Sequence, residues 1–222
     1  SALCEKTDAD INEVAYAVGM DTRIGAKFLK AGIGFGGSCF KKDILNLVYL
    51  CGHYGLPEVA SYWESVVKIN EYQQDRFVSN ILNAMFNTLA GKKICVLGFA
   101  FKADTGDTRE SPAINITRKL LAEQAEVVIS DPRALANARI DLADNGEKIS
   151  FIKDPYRAAA GCHALAVLTD WDLYRKLDYR KIFNSMIKPA FLFDGRNIVD
   201  HQKCFEIGFN VFPVGKPALS RL

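Results

Sequence analysis

The 222-residue chain has little of what would mark a metal, membrane or nucleic-acid protein. Histidine is scarce: His53, His163 and His201 stand far apart. None of the six cysteines forms a Cys-x-x-Cys pair, so metal-ligand spacing is missing and no metal site is expected. Most of the thiols fall in apolar stretches, as Cys95 does in Lys-Ile-Cys-Val-Leu. Cys4, Cys51, Cys95, Cys162 and Cys204 are therefore expected to be reduced and buried, as in a cytoplasmic protein. No apolar run is long enough to span a bilayer and no signal-peptide pattern opens the chain, so no membrane partner is expected. Charge of either sign is not in excess: 28 basic residues face 26 acidic ones, and the densest basic runs, such as Lys41-Lys42 and Lys92-Lys93, are pairs. That leaves no field to attract nucleic acid. Internal repeats and low-complexity tracts are also missing.

What is present is a globular composition, 49% hydrophobic and 24% charged, enough for one large or two small domains with a sizeable core. The chain opens on Ser1, not Met, and runs straight into a helical pattern, so it is expected to be a piece of something longer. Residues 1–7 read as the end of a helix. Asp10 is a plausible N-cap for Ile11, Val14, Ala15 and Val18, with Gly19 as a stop. Ser38 reads as the cap of a helix from Cys39 to about Tyr54, with Ile44, Leu47, Val48 and Cys51 as its apolar stripe. Pro57 then opens a helix to about Thr88, with Val59, Trp63, Val66, Ile69, Phe77, Ile81 and Met85 near helical period. A helix of that length spans a domain or an oligomer interface.

From Lys92 the pattern alternates. Strands are expected at 93–98, 127–130, 150–152, 164–168, 190–193 and 210–214, with helices at 111–123, 155–160 and 178–186 between them. The fold class is therefore α/β: a helical layer followed by a doubly wound parallel sheet. Its ligand crevice should lie beyond the strand C-termini, at 98–108, 130–132, 169–172 and 194–196. Trp171, between Asp170 and Asp172, reads as part of a structural loop there.

Between the halves, five glycines fall from Gly25 to Gly37. Gly32-Ile33-Gly34-Phe35-Gly36-Gly37 satisfies G-x-G-x-x-G literally, but a dinucleotide fingerprint needs a strand before it and an acidic strand end about 20 residues on. Here Lys-Phe-Leu-Lys precedes and two helices follow. Cys39 offers a different reading. It stands at the first turn of a helix, where the dipole favours a thiolate, beside Lys41 and Lys42, and Asp43 lies one turn deeper on the same face. A nucleophile with a carboxylate one turn away suits covalent catalysis followed by hydrolysis. A buried cysteine beside a structural turn is the competing reading.

The segment Gly34-Phe35-Gly36-Gly37-Ser38-Cys39-Phe40-Lys41-Lys42-Asp43 resembles the catalytic-cysteine motif of the UDP-glucose/GDP-mannose dehydrogenase family. Arg23-Ile24-Gly25, Phe28-Leu29-Lys30, Gly98-Phe99-Ala100-Phe101-Lys102, the run from Asp104 to Ser111, and Phe193-Asp194-Gly195-Arg196 resemble it in the same order. The resemblance implies a central helical, dimerisation domain over 1–88 and a C-terminal UDP-sugar-binding, Rossmann-like domain over 89–222. It implies NAD-dependent oxidation of a sugar C6 alcohol to the carboxylate, with UDP-glucose as substrate and a GDP-mannose or UDP-N-acetylmannosamine enzyme as the alternative. Cys39 would be the nucleophile and Asp43 would help position or activate water. Phe28, Leu29, Lys30, Phe35 and Gly36 would bind the sugar, Phe101 and Lys102 the uridine diphosphate, and Arg196 the substrate. Arg23 would reach a neighbouring subunit's site. Cys39, Lys42 and Arg109 would approach NAD. The resemblance also implies a homodimer through the long helix, and it places an NAD domain and further catalytic groups ahead of Ser1. A nucleotide-sugar-binding and oligomerisation module without activity is the alternative that this arrangement leaves open.

Overall fold

The computed structural model describes residues 1–144 and 146–222. Two short helices come first, α1 (Ala2–Lys6) and α2 (Ile11–Gly19). Asp10 caps α2 by accepting the Asn12 N–H, as its position before an apolar run predicts. The apolar residues of α2 are not buried: Val14 and Val18 are exposed. The glycine-rich segment then runs without a helix to α3 (Phe40–His53). Ser38 does not cap α3; the cap position is Cys39, and its side chain makes no capping bond. The long helix α4 (Pro57–Ala84) carries Pro57 in its first turn and stops four residues short of the expected end. It stops there because Phe86 and Asn87 take left-handed φ of 63° and 57°. Its buried stripe is Val67, Asn70, Gln74, Phe77, Val78 and Ile81, whereas Val59 and Ile69 are exposed.

The sheet follows: β1 (Lys93–Leu97), α5 (Pro112–Ala122), β2 (Glu126–Ser130), α6 (Leu135–Asp141), β3 (Ile149–Phe151), α7 (Pro155–Ala159), β4 (Ala164–Val167), α8 (Asp172–Arg175), α9 (Tyr179–Ser185), β5 (Phe191–Asp194), α10 (His201–Ile207) and β6 (Asn210–Pro213). Every strand pairing is parallel, in the order β3-β2-β1-β4-β5-β6. That is the doubly wound order, with its switch point between β1 and β4. Helices α6, α8 and α10 had no counterpart in the sequence reading. They span four to seven residues, too short for an apolar period to register.

Each face of the sheet is covered. One core joins Ile94, Val96 and Phe193 to Phe77 and Ile81 of α4 and to Ile116 and Leu120 of α5. The other joins Cys95, Leu165 and Leu192 to Tyr174, Tyr179, Ile182 and Cys204 from the helices α8 to α10. The long helix thus packs on the first face and positions the glycine-rich segment at the strand C-termini.

Candidate functional site

The glycine-rich segment is fixed by α4. Asn70 accepts the Phe35 N–H at 2.8 Å and donates to the Phe35 carbonyl at 3.1 Å, so one side-chain amide holds both backbone groups of that residue. One turn on, Gln73 donates to the Gly32 carbonyl at 2.7 Å. Ile33 is fully buried, and a Cβ on Gly195 would lie 2.4 Å from its Cγ2. The segment therefore lies flush on the β5–α10 turn.

It lies equally close to the β1–α5 loop. The Gly37 N–H donates to the Arg109 carbonyl at 2.9 Å, and a Cβ on Gly36 would meet the Glu110 carbonyl oxygen at 2.4 Å. Gly37, at φ +93°, leaves room for the Phe101 ring. Glycine is needed at 36 for close backbone approach and at 37 for the left-handed turn.

The seam encloses a cleft of about 890 Å³, which brings together Phe28, Lys30, Phe35, Gly36, Phe101 and Arg196. Phe35 also packs edge-on against Phe40, ring centres 4.7 Å apart. Phe28 holds φ of 65° and is fully exposed, an uncommon state for a bulky side chain. Leu29 faces a neighbouring cleft with Val66 and Ile69 instead. Lys102 lies outside the lining, its ammonium 5.4 Å from the Phe101 ring centre.

Arg196 is held by its own turn. Its Nε donates to the Leu168 carbonyl at 2.7 Å and its N–H to Asp194 at 3.0 Å. Burial lowers the guanidinium pKa, against the pull of Asp170 and Asp194. Asp194 is fully buried; besides Arg196 it accepts the N–H groups of Ile198 and Val199, each at 2.9 Å, and its other contact is His201 Nε2 at 2.9 Å. His201 is thus structural, as is His163, whose Nδ1 accepts the Lys93 N–H.

Cys39 is exposed, while the other five cysteines are buried. Its Sγ lies 3.6 Å from Ser38 Oγ. Asp43 stands one turn on, its N–H bonded to the Cys39 carbonyl, and its carboxylate lies 3.8 Å from Lys42 rather than on the thiol. Lys41 reaches across the seam to Glu110 at 3.0 Å. Arg109 is paired with Asp107 at 2.7 Å, and its side chain remains 69% exposed. The Asp107 hydrogen bond holds the Arg109 pKa up, with a smaller contribution from Cys39. Arg23 is not brought to the cleft: it is gripped by Asp21 and 87% exposed. Among the described residues no group of three His, Cys, Asp or Glu side chains could hold a metal, and no helix is long and apolar enough to cross a membrane.

Asp131 was not singled out from the sequence. Fully buried at the end of β2, it accepts the N–H groups of Phe99 and Ala100 at 2.7 and 3.2 Å and the Trp171 indole at 3.2 Å. Its other oxygen takes the N–H groups of Arg133 and Ala134. An aspartate directly before Pro132 at a strand end was the available signal. Trp171 is accordingly a buried structural residue.

Residues 1–72 match the sequence profile described as "UDP-glucose/GDP-mannose dehydrogenase family, central domain", and residues 95–201 that of the same family's UDP binding domain. The chain is 55% identical to UDP-glucose 6-dehydrogenase 5 of Oryza sativa subsp. japonica, with 98% of this chain and 49% of the relative covered. It is 53% identical to UDP-glucose 6-dehydrogenase 1 of Arabidopsis thaliana at the same coverage, 98% and 49%. A solved UDP-glucose dehydrogenase from the archaeon Pyrobaculum islandicum superposes with a TM-score of 0.81 at 32% identity, covering 97% of this chain and 46% of that one. The chain thus spans about half the length of the curated relatives that it matches.

Proposed function

Because the chain belongs to the UDP-glucose/GDP-mannose dehydrogenase family, we propose that it is the cysteine-bearing, nucleotide-binding half of an NAD-dependent UDP-glucose 6-dehydrogenase. The observation that carries this reading is the seam: Lys30 and Phe35 from the first part meet Phe101 and Arg196 from the second in one cleft, and the exposed Cys39 opens the adjoining helix. The cleft thus draws its lining from both parts of the chain.

In this proposal Arg196 and Lys30 bind the anionic substrate, with Lys102 moving in from the rim, and Phe101 and Phe35 cover its rings. Leu29 supports the sugar side of the segment, and Phe28, already exposed at the cleft mouth, folds over it. The Gly36 backbone lets the sugar approach. The Cys39 thiolate adds to the C6 aldehyde and forms a carbon–sulfur bond. After the second oxidation the thioester is cleaved by water: the acyl–sulfur bond breaks, the carboxylate leaves, and the thiol is restored. Asp43 takes a proton from that water. NAD, when bound, supplies the acceptor for both two-electron oxidations. Arg109 fits such a ligand, because its guanidinium, although paired with Asp107, is 69% exposed, and Lys42 is exposed as well. The glycine-rich segment does not fit it, since the Phe35 and Gly37 amides are already taken.

The first part also supports the homodimer. All exposed large hydrophobic residues except Ile140, Leu173, Ile187 and Leu222 lie before residue 89, and Tyr49, Val59, Tyr62 and Ile69 follow α3 and α4. A second copy pairing on that face would cover them, and Arg23, pointing outward, would reach the neighbour's cleft.

Calorimetric titration with UDP-glucose, against GDP-mannose as comparator, tests the substrate. Saturable binding of UDP-glucose alone, lost in Arg196→Met and retained in Cys39→Ser, is expected. Equal binding of GDP-mannose would refute the UDP assignment. NAD reduction is then measured with the complete polypeptide; activity surviving Cys39→Ser there would refute the thioester route.

A further inference from the structure

The carboxyl end of the sheet holds a second concavity, on the face opposite the cleft, where α9 and α10 begin. It encloses about 600 Å³, within the usual range for small-molecule pockets. Its lining includes four cations, Arg175, Lys176, Arg180 and Lys203, against two carboxylates, Asp178 and Asp200. The whole chain has a net charge of +2, so this one lining holds an excess equal to that of the entire molecule.

The carboxylates do not neutralise it. Asp178 accepts the Lys181 N–H and Asp200 the Lys203 N–H, each at 3.0 Å, so both are engaged as helix caps. Arg175 has a 3.4 Å contact with Asp172. Among the described residues, Lys176, Arg180 and Lys203 have no carboxylate within ion-pair distance. Like charges gathered around one concavity repel each other and focus their field into it. An anion relieves both effects.

The floor is rigid and offers little else. The Tyr179 hydroxyl donates to the Tyr174 carbonyl at 2.9 Å, and the Tyr156 hydroxyl accepts the Asp178 N–H at 3.0 Å. Lys181 lies over one face of the Tyr156 ring, 4.7 Å from its centre, and Tyr179 is buried. Cys204 is buried. Recognition therefore falls to charge. We infer that this concavity is a binding site for a small phosphorylated anion with at least two negative charges, a phosphate ester or phosphoanhydride, distinct from the nucleotide-sugar cleft.

The test is backbone-amide NMR of the 222-residue chain titrated with inorganic pyrophosphate, with UDP in a second arm. Saturable shifts at Lys176, Arg180 and Lys203 that weaken with added salt are expected. Arg180→Glu combined with Lys203→Glu should weaken them roughly tenfold or more. Both side chains are exposed, and a Lys176→Gln, Arg180→Gln variant repeats the test without new charge. Shifts at these residues in the UDP arm as well would identify a nucleotide-borne phosphate as the source. Their restriction to pyrophosphate would identify the free anion. Pyrophosphate shifts confined to Lys30, Lys102 and Arg196, no saturation, or unchanged affinity in both variants would overturn the site. These results are independent of whether UDP-glucose binds the cleft, which Arg196→Met reports separately.

Discussion

Asn70 is the most informative single substitution because it bonds both backbone groups of Phe35, at 2.8 and 3.1 Å, from a position 9% exposed. Asn70→Ala removes both bonds. Each is worth about 1 kcal/mol net, and the freed Phe35 N–H and carbonyl, only part-buried, regain some of their loss from water. The expected destabilisation is therefore about 1–2 kcal/mol. Gln73→Ala removes one bond of 2.7 Å to the same segment and should cost about 1 kcal/mol. Because both residues hold one segment, their double variant should depart from additivity, unlike distant sites. Urea unfolding measures all three. If Asn70→Ala cost less than Gln73→Ala, the amide grip would not be what fixes the segment. Titration of the same variant with UDP-glucose should show weakened binding although Asn70 does not line the cleft.

Three further outcomes follow from the geometry. Cys39 should react with a bulky aromatic disulfide reagent well before the other five thiols, since it alone is exposed, and burial pushes Cys162 up to about 11 and Cys204 up to about 12; uniform release of six equivalents from the folded chain would contradict this. The Asp107 pKa is held down first by its hydrogen bond from Arg109, so the pair's contribution is complete above the unfolded carboxyl value of about 3.9 and is lost as pH falls through the lower folded value. Arg109→Met should raise the Asp107 pKa in an NMR pH titration, and an unchanged value would refute the pairing. Gly36→Ala would place a methyl 2.4 Å from the Glu110 carbonyl oxygen, with backbone on both sides, so the seam must open; UDP-glucose affinity should fall, and affinity unchanged from the parent chain would refute the close approach.

The sheet was legible because strands buried on both faces are continuous apolar runs set between turn residues. Ile94 to Leu97 and Ala164 to Val167 are nearly or fully inaccessible. The long helix was legible by length, and Phe77, Ile81 and Met85 of its expected stripe are buried, but Val59 and Ile69 of the same stripe are exposed. Periodicity cannot tell a face packed in the core from one left apolar toward solvent, and here the buried face includes the polar residues Asn70 and Gln74. The cysteine-bearing segment, residues 34–43, was legible as a motif. The two residues that hold it, Asn70 and Gln73, were not, because a side-chain amide 35 or 41 positions away leaves no local pattern. Asp194 fell within a recognised motif and both Asp131 and Asp194 within the expected crevice, but their roles escaped: a buried carboxylate that gathers backbone N–H groups is indistinguishable in sequence from one in a solvated turn.

Those two carboxylates bear on why a sheet of dinucleotide-binding order presents its cleft at the seam. In a doubly wound sheet, amides after the first strand cradle phosphate at the switch point. Here the Phe99 and Ala100 amides are turned onto Asp131, the Trp171 indole shares the same oxygen, and Thr169 closes the gap by donating to the Ala100 carbonyl at 2.6 Å. Gly98, at φ +95°, has Thr169 so near that a Cβ would lie 2.4 Å away. An internal carboxylate thus takes the amides that a phosphate would use, and the crevice is filled with protein. Asp194 does the reverse on β5. By collecting the N–H groups of its own turn it leaves the Arg196 side chain directed outward to the seam. The Arg196 cation thereby stands not at the switch point but at the junction with the glycine-rich segment, in a cleft lined from both parts of the chain.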